Sequence, residues 1–270
     1  MIRSIFVFLV FVSISSCATV VGSRASVVSN AGSGSAIRKD VTKKPLLLEL
    51  FTSEGCSSCP PAEVLLSKYD SEQPFGGAEV VTLAFHVDYW DDLGWKDPFA
   101  SPLFTQRQQI YDRKFRTGEI YTPQMVIDGD IQFIGSREKD AKKAVTAALK
   151  QKKGNLSVSM DGDTAKIEYS EMPVVEDATL FVAIAEDGLG STVDAGENAG
   201  STLSHVSVVR KLVASSRVPN GEKTGKTEVK LTAEDGWNRE KLRVVVFIQE
   251  NRSRMVRGVA RTDFPAGSQK

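Results

Sequence analysis

The sequence contains few metal-binding side chains and no excess of charge. Only three cysteines and two histidines occur in 270 residues, and there is a single Cys-x-x-Cys motif, so the chain lacks the paired motifs of a structural zinc module. The 34 basic residues equal the 34 acidic residues, and no long basic run occurs. We therefore expect no binding to nucleic acid and no electrostatic attraction to an anionic membrane surface.

The sequence also lacks the roughly 20 consecutive apolar residues that cross a bilayer as a helix. A shorter apolar run, from Ile5 to Ile14, follows the positively charged start Met1-Ile2-Arg3-Ser4, and small residues follow it up to Ala18. This pattern is typical of a signal peptide, which we assign to residues 1–18. The protein is therefore expected to be exported, either periplasmic or secreted.

Cys17 allows two interpretations of the processing site. Ile14-Ser15-Ser16-Cys17 resembles a bacterial lipobox, in which the cysteine is lipidated and becomes the new N-terminus. The alternative cut lies after Ala18 and removes Cys17 altogether. Under either interpretation Cys56 and Cys59 remain as the usable thiols, and a lipid on Cys17 would be the sole membrane anchor.

Composition predicts two folded domains behind a linker. Residues 19–42 are rich in Ser, Gly, Ala and Val, a composition that predicts a flexible linker. Residues 43–153 contain two buried-strand patterns, at 46–51 and 80–85, separated by a helical pattern, which predicts a β-α-β unit. Residues 154–270 consist of short alternating runs, which predict a mainly antiparallel β domain.

The motif Cys56-Ser57-Ser58-Cys59 follows the first predicted strand and precedes the first predicted helix. A spacing of three residues in a helical turn brings both sulfurs to one face, close enough for a disulfide. Unpaired N–H groups at a helix start favour a thiolate, so Cys56 is the expected attacking thiol and Cys59 the resolving thiol. Pro60-Pro61 has no N–H groups and is tolerated in a helix only in its first turn, so the helix is predicted to start at Cys59 or Pro60. Cys56 then lies on a tight preceding turn, and its thiolate depends more on local N–H donors and neighbouring loops than on the helix.

Two other interpretations of this motif stay open. The pair could form half of a zinc site, although the chain has no second Cys-x-x-Cys. It could also be a static disulfide in an exported protein, although the small loop that it closes would limit the stabilisation.

Several motifs together resemble a known family. They lie at residues 49–62, 84–90, 94–99, 196–200, 203–205 and 208–210. The sequence is similar over about residues 45–262 to the exported, thioredoxin-like family catalogued as domain of unknown function 1223 (DUF1223). The resemblance implies an α/β fold class, with a thioredoxin-like N-terminal domain followed by a mainly antiparallel β domain. It implies no established activity.

The thioredoxin resemblance extends to a proline loop, Tyr121-Thr122-Pro123-Gln124, followed by a predicted hairpin with an Asp128-Gly129 turn. By this resemblance Pro123 would form a cis peptide bond with Thr122 and face the dithiol. Taken alone, Pro123 would be an ordinary proline at the start of a strand.

His86 ends the second predicted strand, at the sheet edge where sites form in open α/β sheets. We expect it beside the dithiol, as a proton shuttle or a partner of the Cys56 thiolate. The substrate rim is predicted to contain Thr122, Asp88, Tyr89, Trp90, Trp95 and Glu54. The alternative is that His86 is a structural residue, Asp88 a turn residue and the tryptophans packing residues, with Glu54 solvated.

Glu197, Asn198 and His205 are predicted to lie in contacts between the two domains. They could dock the domains or present polar groups to the dithiol. We expect no cofactor other than the Cys56–Cys59 pair, and a copper or zinc site formed by Cys56, Cys59, His86 and His205 is the alternative.

The sequence therefore supports two functions. The first is thiol–disulfide exchange with thiols or disulfides of proteins or small molecules. The second is a binding module for a metal or a protein, in which the disulfide is only structural.

Overall fold

The strands of the described part of the chain form one large mixed sheet and two small antiparallel ones. The computed structural model describes residues 43–266, so the predicted signal peptide, Cys17 and the linker over residues 19–42 lie outside the described residues. The helices are α1 (Pro60–Glu72), α2 (Pro102–Phe115) and α3 (Glu138–Ala148), with a 3₁₀ turn at Arg239–Lys241. None of the helices in this described part is long and apolar enough to cross a membrane.

Thirteen strands occur in the described residues. Those that precede α3 are β1 (Lys44–Thr52), β2 (Ala78–His86), β3 (Gln124–Ile127) and β4 (Ile131–Ile134). The next are β5 (Asn155–Asp161), β6 (Thr164–Ser170), β7 (Ala178–Glu186), β8 (Leu189–Thr192) and β9 (Thr202–His205). The last are β10 (Val208–Val218), β11 (Gly225–Lys230), β12 (Leu242–Glu250) and β13 (Val256–Asp263).

The large sheet has eight strands in the order β13-β12-β7-β10-β2-β1-β3-β4. Strands β1 and β2 run parallel, and their register brings Thr52 beside His86 at the carboxyl ends of both strands. The small sheets have the orders β11-β6-β5 and β8-β9. In the β8-β9 hairpin Leu189 pairs with His205, which places this histidine at the end of β9, three residues before β10 begins.

Alternation of side chains along the strands explains how the large sheet is buried on both faces. On one face, Leu46, Leu48 and Leu50 of β1 pack beneath α1 and α3. On the opposite face, Leu47 and Phe51 of β1 belong to a core that also contains residues of β2, β7, β12 and β13. A third core lies between β7, β12 and the three-stranded sheet.

The predicted fold class, a thioredoxin-like α/β domain followed by an antiparallel β domain, is wrong. Strands hold 41% of the described residues and helices 18%, so the protein is mostly β, and its main sheet is mixed. The edge of β2 is covered by β10, where Val208 pairs with Ala84, so strands from both halves of the chain continue one sheet. Because Val245 and Phe247 share a core with Leu47, the two halves are also packed together, and the described residues lie in one compact unit.

Several local predictions are confirmed. The β-α-β unit consists of β1, α1 and the parallel strand β2. The predicted hairpin is formed by β3 and β4, and Asp128 and Gly129 have positive φ angles of 48° and 63° at its turn. Helix α1 begins at Pro60 with Cys59 as its N-cap, as expected from a pair of prolines that lack N–H groups.

Candidate functional site

Cys56 and Cys59 form a disulfide at the carboxyl end of β1, and their Cα atoms are 5.4 Å apart. The backbone turns here through bonds from the Cys56 N–H to the Ser53 carbonyl and from the Cys59 N–H to the Cys56 carbonyl. The Cys59 carbonyl then accepts the N–H groups of Ala62 and Glu63 in the first turn of α1. Both cysteines are 0% exposed, whereas Ser57 and Ser58 between them are exposed.

A segment from the other half of the chain covers the disulfide. We call residues 196–200 the capping loop. The side-chain amide of Asn198 in this loop donates to the backbone carbonyls of Glu54 (2.7 Å) and Cys56 (3.1 Å). The carboxylate of Glu197 accepts the Ser57 N–H (3.1 Å) and hydroxyl (2.7 Å). The turn that carries the disulfide is therefore held from outside by two side chains of the capping loop.

Glycines allow the capping loop to lie close to the loop after β2. Gly94 and Gly196 have φ angles of +107° and +76°, in the region that favours glycine. A Cβ atom at Gly94 would lie 3.2 Å from the Gly196 Cα, and one at Gly196 would lie 3.2 Å from the Trp95 Cβ. The close approach therefore depends on the absence of both side chains.

His205 lies beneath the capping loop between two buried carboxylates. Its Nε2 is 2.9 Å from Glu54 Oε1, and its Nδ1 is 2.6 Å from Glu63 Oε2. The remaining carboxylate oxygens are also satisfied, since Trp95 Nε1 donates to Glu54 (2.9 Å) and the Thr52 hydroxyl donates to Glu63 (2.6 Å). Thus every polar atom of this buried group has a partner.

The ionisation of this group follows from its geometry. Burial by itself lowers the pKa of His205, but hydrogen bonds and Coulombic attraction from Glu54 and Glu63 outweigh it and raise the pKa to about 9. For Glu63, burial would raise the pKa, and the contacts with His205 bring it below its ordinary value. At neutral pH His205 is therefore a buried imidazolium between carboxylates.

His86 is held in a second buried contact. Its Nδ1 is 2.7 Å from Asp97 Oδ2, and the same carboxylate accepts the backbone N–H groups of Glu54 (2.8 Å) and Phe99 (2.9 Å). Burial would raise the pKa of Asp97, but His86 and these donors lower it. Asp97 thus connects the loop after β2 to the residue that precedes the disulfide turn.

The two histidines pack against each other. Their ring centroids are 4.8 Å apart with nearly perpendicular planes, and the Phe99 ring packs on both. One ligand atom from each of Glu63, His86 and His205 lies within 4.8 Å of the others. The structure therefore brings together residues that are far apart in sequence and that could share a proton or hold a cation.

The other predicted rim residues are mostly part of the packing around the site. The Asp88 carboxylate accepts the Thr105 hydroxyl at 2.5 Å, which ties the loop to α2. Tyr89 and Trp90 pack against the core on the α2 face. Trp95 contacts Glu54 as described above, and Glu54 itself is fully buried, so its interpretation as a solvated loop residue is wrong.

The proline loop lies beside the end of β1. The Thr122–Pro123 bond is cis, as the resemblance implied. The next residue, Gln124, pairs with Phe51 of β1, and the Thr122 hydroxyl accepts the Trp90 indole N–H at 2.9 Å. The roles predicted for Thr122 and Pro123 in contacting a substrate stay predictions.

This geometry can be compared with known proteins. Residues 47–249 match the family described as a protein of unknown function, DUF1223. The chain belongs to the DUF1223 family. A search of curated proteins found no match to this DUF1223 protein.

Two solved structures share the fold of this DUF1223 protein. A crystal structure of a protein from Agrobacterium tumefaciens is 24% identical, with a TM-score of 0.68 over 84% of this chain and 98% of that one. HBP35 of Porphyromonas gingivalis is 15% identical, with a TM-score of 0.61 over 84% of this chain and 79% of that one. At these identities the likeness concerns the fold alone.

Sequence reasoning missed Glu63, Asp97 and Thr52. The helical pattern between the two predicted strands has its apolar residues at Val64, Leu65 and Leu66, and it therefore predicts that Glu63 lies outside. In the structure Val64 is 68% exposed and Glu63 is 9% exposed. A signal existed in the position of Glu63, since it follows Cys59 by four residues, a spacing that places two side chains on the same face of a helix.

Proposed function

We propose that this DUF1223 protein is a thiol–disulfide oxidoreductase that cycles the Cys56–Cys59 disulfide. The observation that carries the proposal is the placement of the disulfide between the end of β1 and the first turn of α1, next to the buried group formed by Glu54, Glu63 and His205. A purely structural crosslink over so short a loop would contribute little stability.

The proposed exchange balances as a two-electron transfer. The Cys56 thiolate attacks a substrate disulfide, forms a mixed disulfide and releases one substrate thiolate, which is protonated. The Cys59 thiolate then attacks the Cys56 sulfur, releases the second substrate thiol and restores the protein disulfide. The substrate gains two electrons and the protein loses two, and the reverse sequence oxidises a substrate dithiol.

The proton that Cys59 must lose before it attacks passes to the released substrate thiolate. Both carboxylate oxygens of Glu63 already accept hydrogen bonds, from the Thr52 hydroxyl and from His205, so Glu63 is assigned no part in this transfer.

We propose that the exchange takes place outside the cytoplasm. The N-terminal signal-peptide pattern supports export, and a disulfide persists more readily in an oxidising compartment. The substrates would be thiols or disulfides of proteins or small molecules, presented to the edge where β1 and β2 end.

Equilibration with glutathione tests the redox proposal directly. The protein is held in buffers of graded potential, its thiols are alkylated, and the reduced fraction is measured. We expect a two-electron transition well above about −300 mV. A disulfide that stays intact at about −300 mV would overturn the proposal.

Single cysteine variants test the assigned order of attack. Cys59→Ser should accumulate a mixed disulfide with a model substrate, because the resolving thiol is missing. Cys56→Ser should trap at most about a tenth as much, because Cys59 is the proposed resolving thiol, which attacks the Cys56 sulfur and not the substrate. Mass spectrometry quantifies the adduct. The double variant Cys56→Ser/Cys59→Ser controls for non-covalent binding, and equal trapping by both single variants would contradict the order.

The capping loop should limit access to the disulfide, because both cysteines are buried and the loop is bonded to the backbone of the turn that carries them. Asn198→Ala removes two buried hydrogen bonds, which should favour local opening by about 1–3 kcal/mol and speed reduction by a small-molecule phosphine roughly 5- to 150-fold. Alkylation after timed reduction measures the rate.

The matched control for the capping loop is Asn220→Ala, which makes the same substitution at an exposed asparagine outside the capping loop. It should change the rate of reduction less than twofold. If Asn198→Ala reduces no faster than the control while its global stability is unchanged, the capping loop does not gate the disulfide.

A second candidate function is a binding module whose disulfide is structural. The complete burial of both cysteines and the Asn198 bonds over them favour this alternative. The glutathione titration separates the two, because a structural disulfide would show no transition in the accessible range of potentials.

A further inference from the structure

The geometry around the two histidines points to a metal site that does not use the cysteines. Glu63 from α1, His86 from the end of β2 and His205 from the end of β9 each place one ligand atom within 4.8 Å of the other two. Their side chains are almost completely buried. The Phe99 ring packs on both imidazoles and excludes water from that side.

His86 has a ring nitrogen available for a metal. Its Nδ1 contacts the Asp97 carboxylate, an acceptor, so the neutral ring carries its proton on Nδ1 and its lone pair on Nε2. Within residues 43–266 no group lies in hydrogen-bonding range of Nε2, although the side chain is 0% exposed. A buried nitrogen acceptor without a donor is unfavourable unless something binds it.

His205 and Glu63 supply the other two ligands. A metal ion between them would take the place of the proton that joins His205 Nδ1 to Glu63 Oε2. His205 would keep its contact from Nε2 to Glu54, and Glu63 would keep the Thr52 hydroxyl on its other oxygen. Both imidazoles then have a carboxylate behind the ligating nitrogen, an arrangement that orients histidine ligands in metalloproteins.

We propose that Glu63, His86 and His205 bind one divalent transition-metal ion, for which Zn²⁺ is the best match. Two imidazole nitrogens and one carboxylate oxygen form a known three-ligand zinc set, with a fourth position left for water. Bonds of about 2.0–2.2 Å place ligand atoms of one ion roughly 3.3–3.6 Å apart. The contact of 2.6 Å between His205 and Glu63 must therefore open, and His86 must approach by about 1 Å.

The buried charges favour this ion. Glu54, Glu63 and Asp97 place three carboxylates around the two imidazoles, and a divalent cation compensates more of that charge than one proton does. The cysteines are joined to each other in the disulfide, so the donor set contains Glu63 instead of the thiolates of the predicted Cys56, Cys59, His86 and His205 site.

Metal analysis of the whole protein tests the proposal. The protein is produced in medium with added zinc, purified without chelator and analysed by inductively coupled plasma mass spectrometry. Because the ligands are buried, a second sample is stripped of metal under mild denaturation and refolded with Co²⁺. We expect about one Zn²⁺ per chain, and a visible absorption band of tetrahedral Co²⁺.

Variants assign the ligands. Glu63→Gln keeps the size of the side chain but should lower zinc content at least tenfold, and Asp97→Asn should weaken affinity about 10- to 100-fold by releasing His86. Glu72→Gln makes the same substitution on the exposed end of α1 and should keep full zinc content. Circular dichroism verifies that each variant is folded. If Glu63→Gln is unfolded, the Co²⁺ spectrum of Asp97→Asn tests the ligand assignment instead.

The double variant Cys56→Ser/Cys59→Ser separates this site from the proposed redox function. It should bind as much zinc as the unchanged protein, and this expectation holds whether or not the disulfide of the unchanged protein undergoes redox cycling. Wild-type protein without bound zinc and without a Co²⁺ band would overturn the metal site and leave the redox proposal intact. If the double cysteine variant loses zinc and Glu63→Gln retains it, the proposed site must be replaced by one with thiolate ligands.

Discussion

Replacing Glu49 by Gln will lower the free energy of unfolding by about 3–5 kcal/mol. Glu49 is fully buried on β1, and its Oε1 accepts Arg107 Nε of α2 at 2.5 Å. The substitution preserves size and keeps an acceptor, but it removes the negative charge. The buried guanidinium would then have no countercharge, and leaving one member of a buried ion pair is more costly than removing both. Urea unfolding followed by circular dichroism measures the change.

The reason for so large an effect is the position of Arg107 between the two halves of the sheet. Its guanidinium also donates to Tyr111 (3.1 Å) and to Gln249 of β12 (3.2 Å). It lies 5.5 Å from the ring centroid of Phe85, and two more phenylalanines of β7 and β12 surround it, Phe181 and Phe247. A destabilised Arg107 therefore affects β1, α2, β7 and β12 together.

The matched control removes both charges. The double variant Glu49→Leu/Arg107→Met should recover most of the lost stability, because an apolar pair of similar volume needs no countercharge. A single variant Glu49→Gln within about 1 kcal/mol of the unchanged protein would show that Arg107 does not need its partner. Two separate unfolding transitions would show that the halves of the sheet are not one cooperative unit.

Local structure was predictable wherever short-range signals decide it. Buried runs predicted β1 and β2, the Asp128-Gly129 pair predicted the hairpin, and Pro60-Pro61 predicted the start of α1. The continuous sheet was not predictable. The pairing of Val208 with Ala84 joins strands more than a hundred residues apart in sequence. The sequence pattern changes from buried to alternating runs near residue 154. This change is the same whether the later strands form a new sheet or extend the first one.

The candidate site shows the same division between local and long-range signals. The position of His86 beside Thr52, at the end of the strand that leads to the Cys-x-x-Cys motif, follows from the parallel register of two adjacent strands. The pairing of His205 with Glu63 spans 142 residues, and nothing in the local pattern of either segment selects the other. Glu63 looked solvated for this reason, since a glutamate is expected outside unless a partner is known.

His205 will make the stability of the metal-free protein depend on pH above neutrality. Its pKa is raised to about 9 in the folded state by Glu54 and Glu63, against about 6.5 in the unfolded chain. A raised pKa means that the folded state holds the proton more tightly than the unfolded state. The contribution of His205 to the free energy of unfolding is therefore complete below about pH 6.5 and is lost as pH rises through about 9. The difference in pKa corresponds to about 3 kcal/mol.

Comparison with His205→Gln isolates this contribution, because Gln at position 205 does not titrate. With a chelator present and the disulfide oxidised, the stability difference between the two proteins should shrink by about 3 kcal/mol between pH 6 and pH 9.5. Urea unfolding at each pH gives the two curves. Parallel curves would mean that His205 is neutral in the folded protein, and the buried carboxylates would then require another source of positive charge.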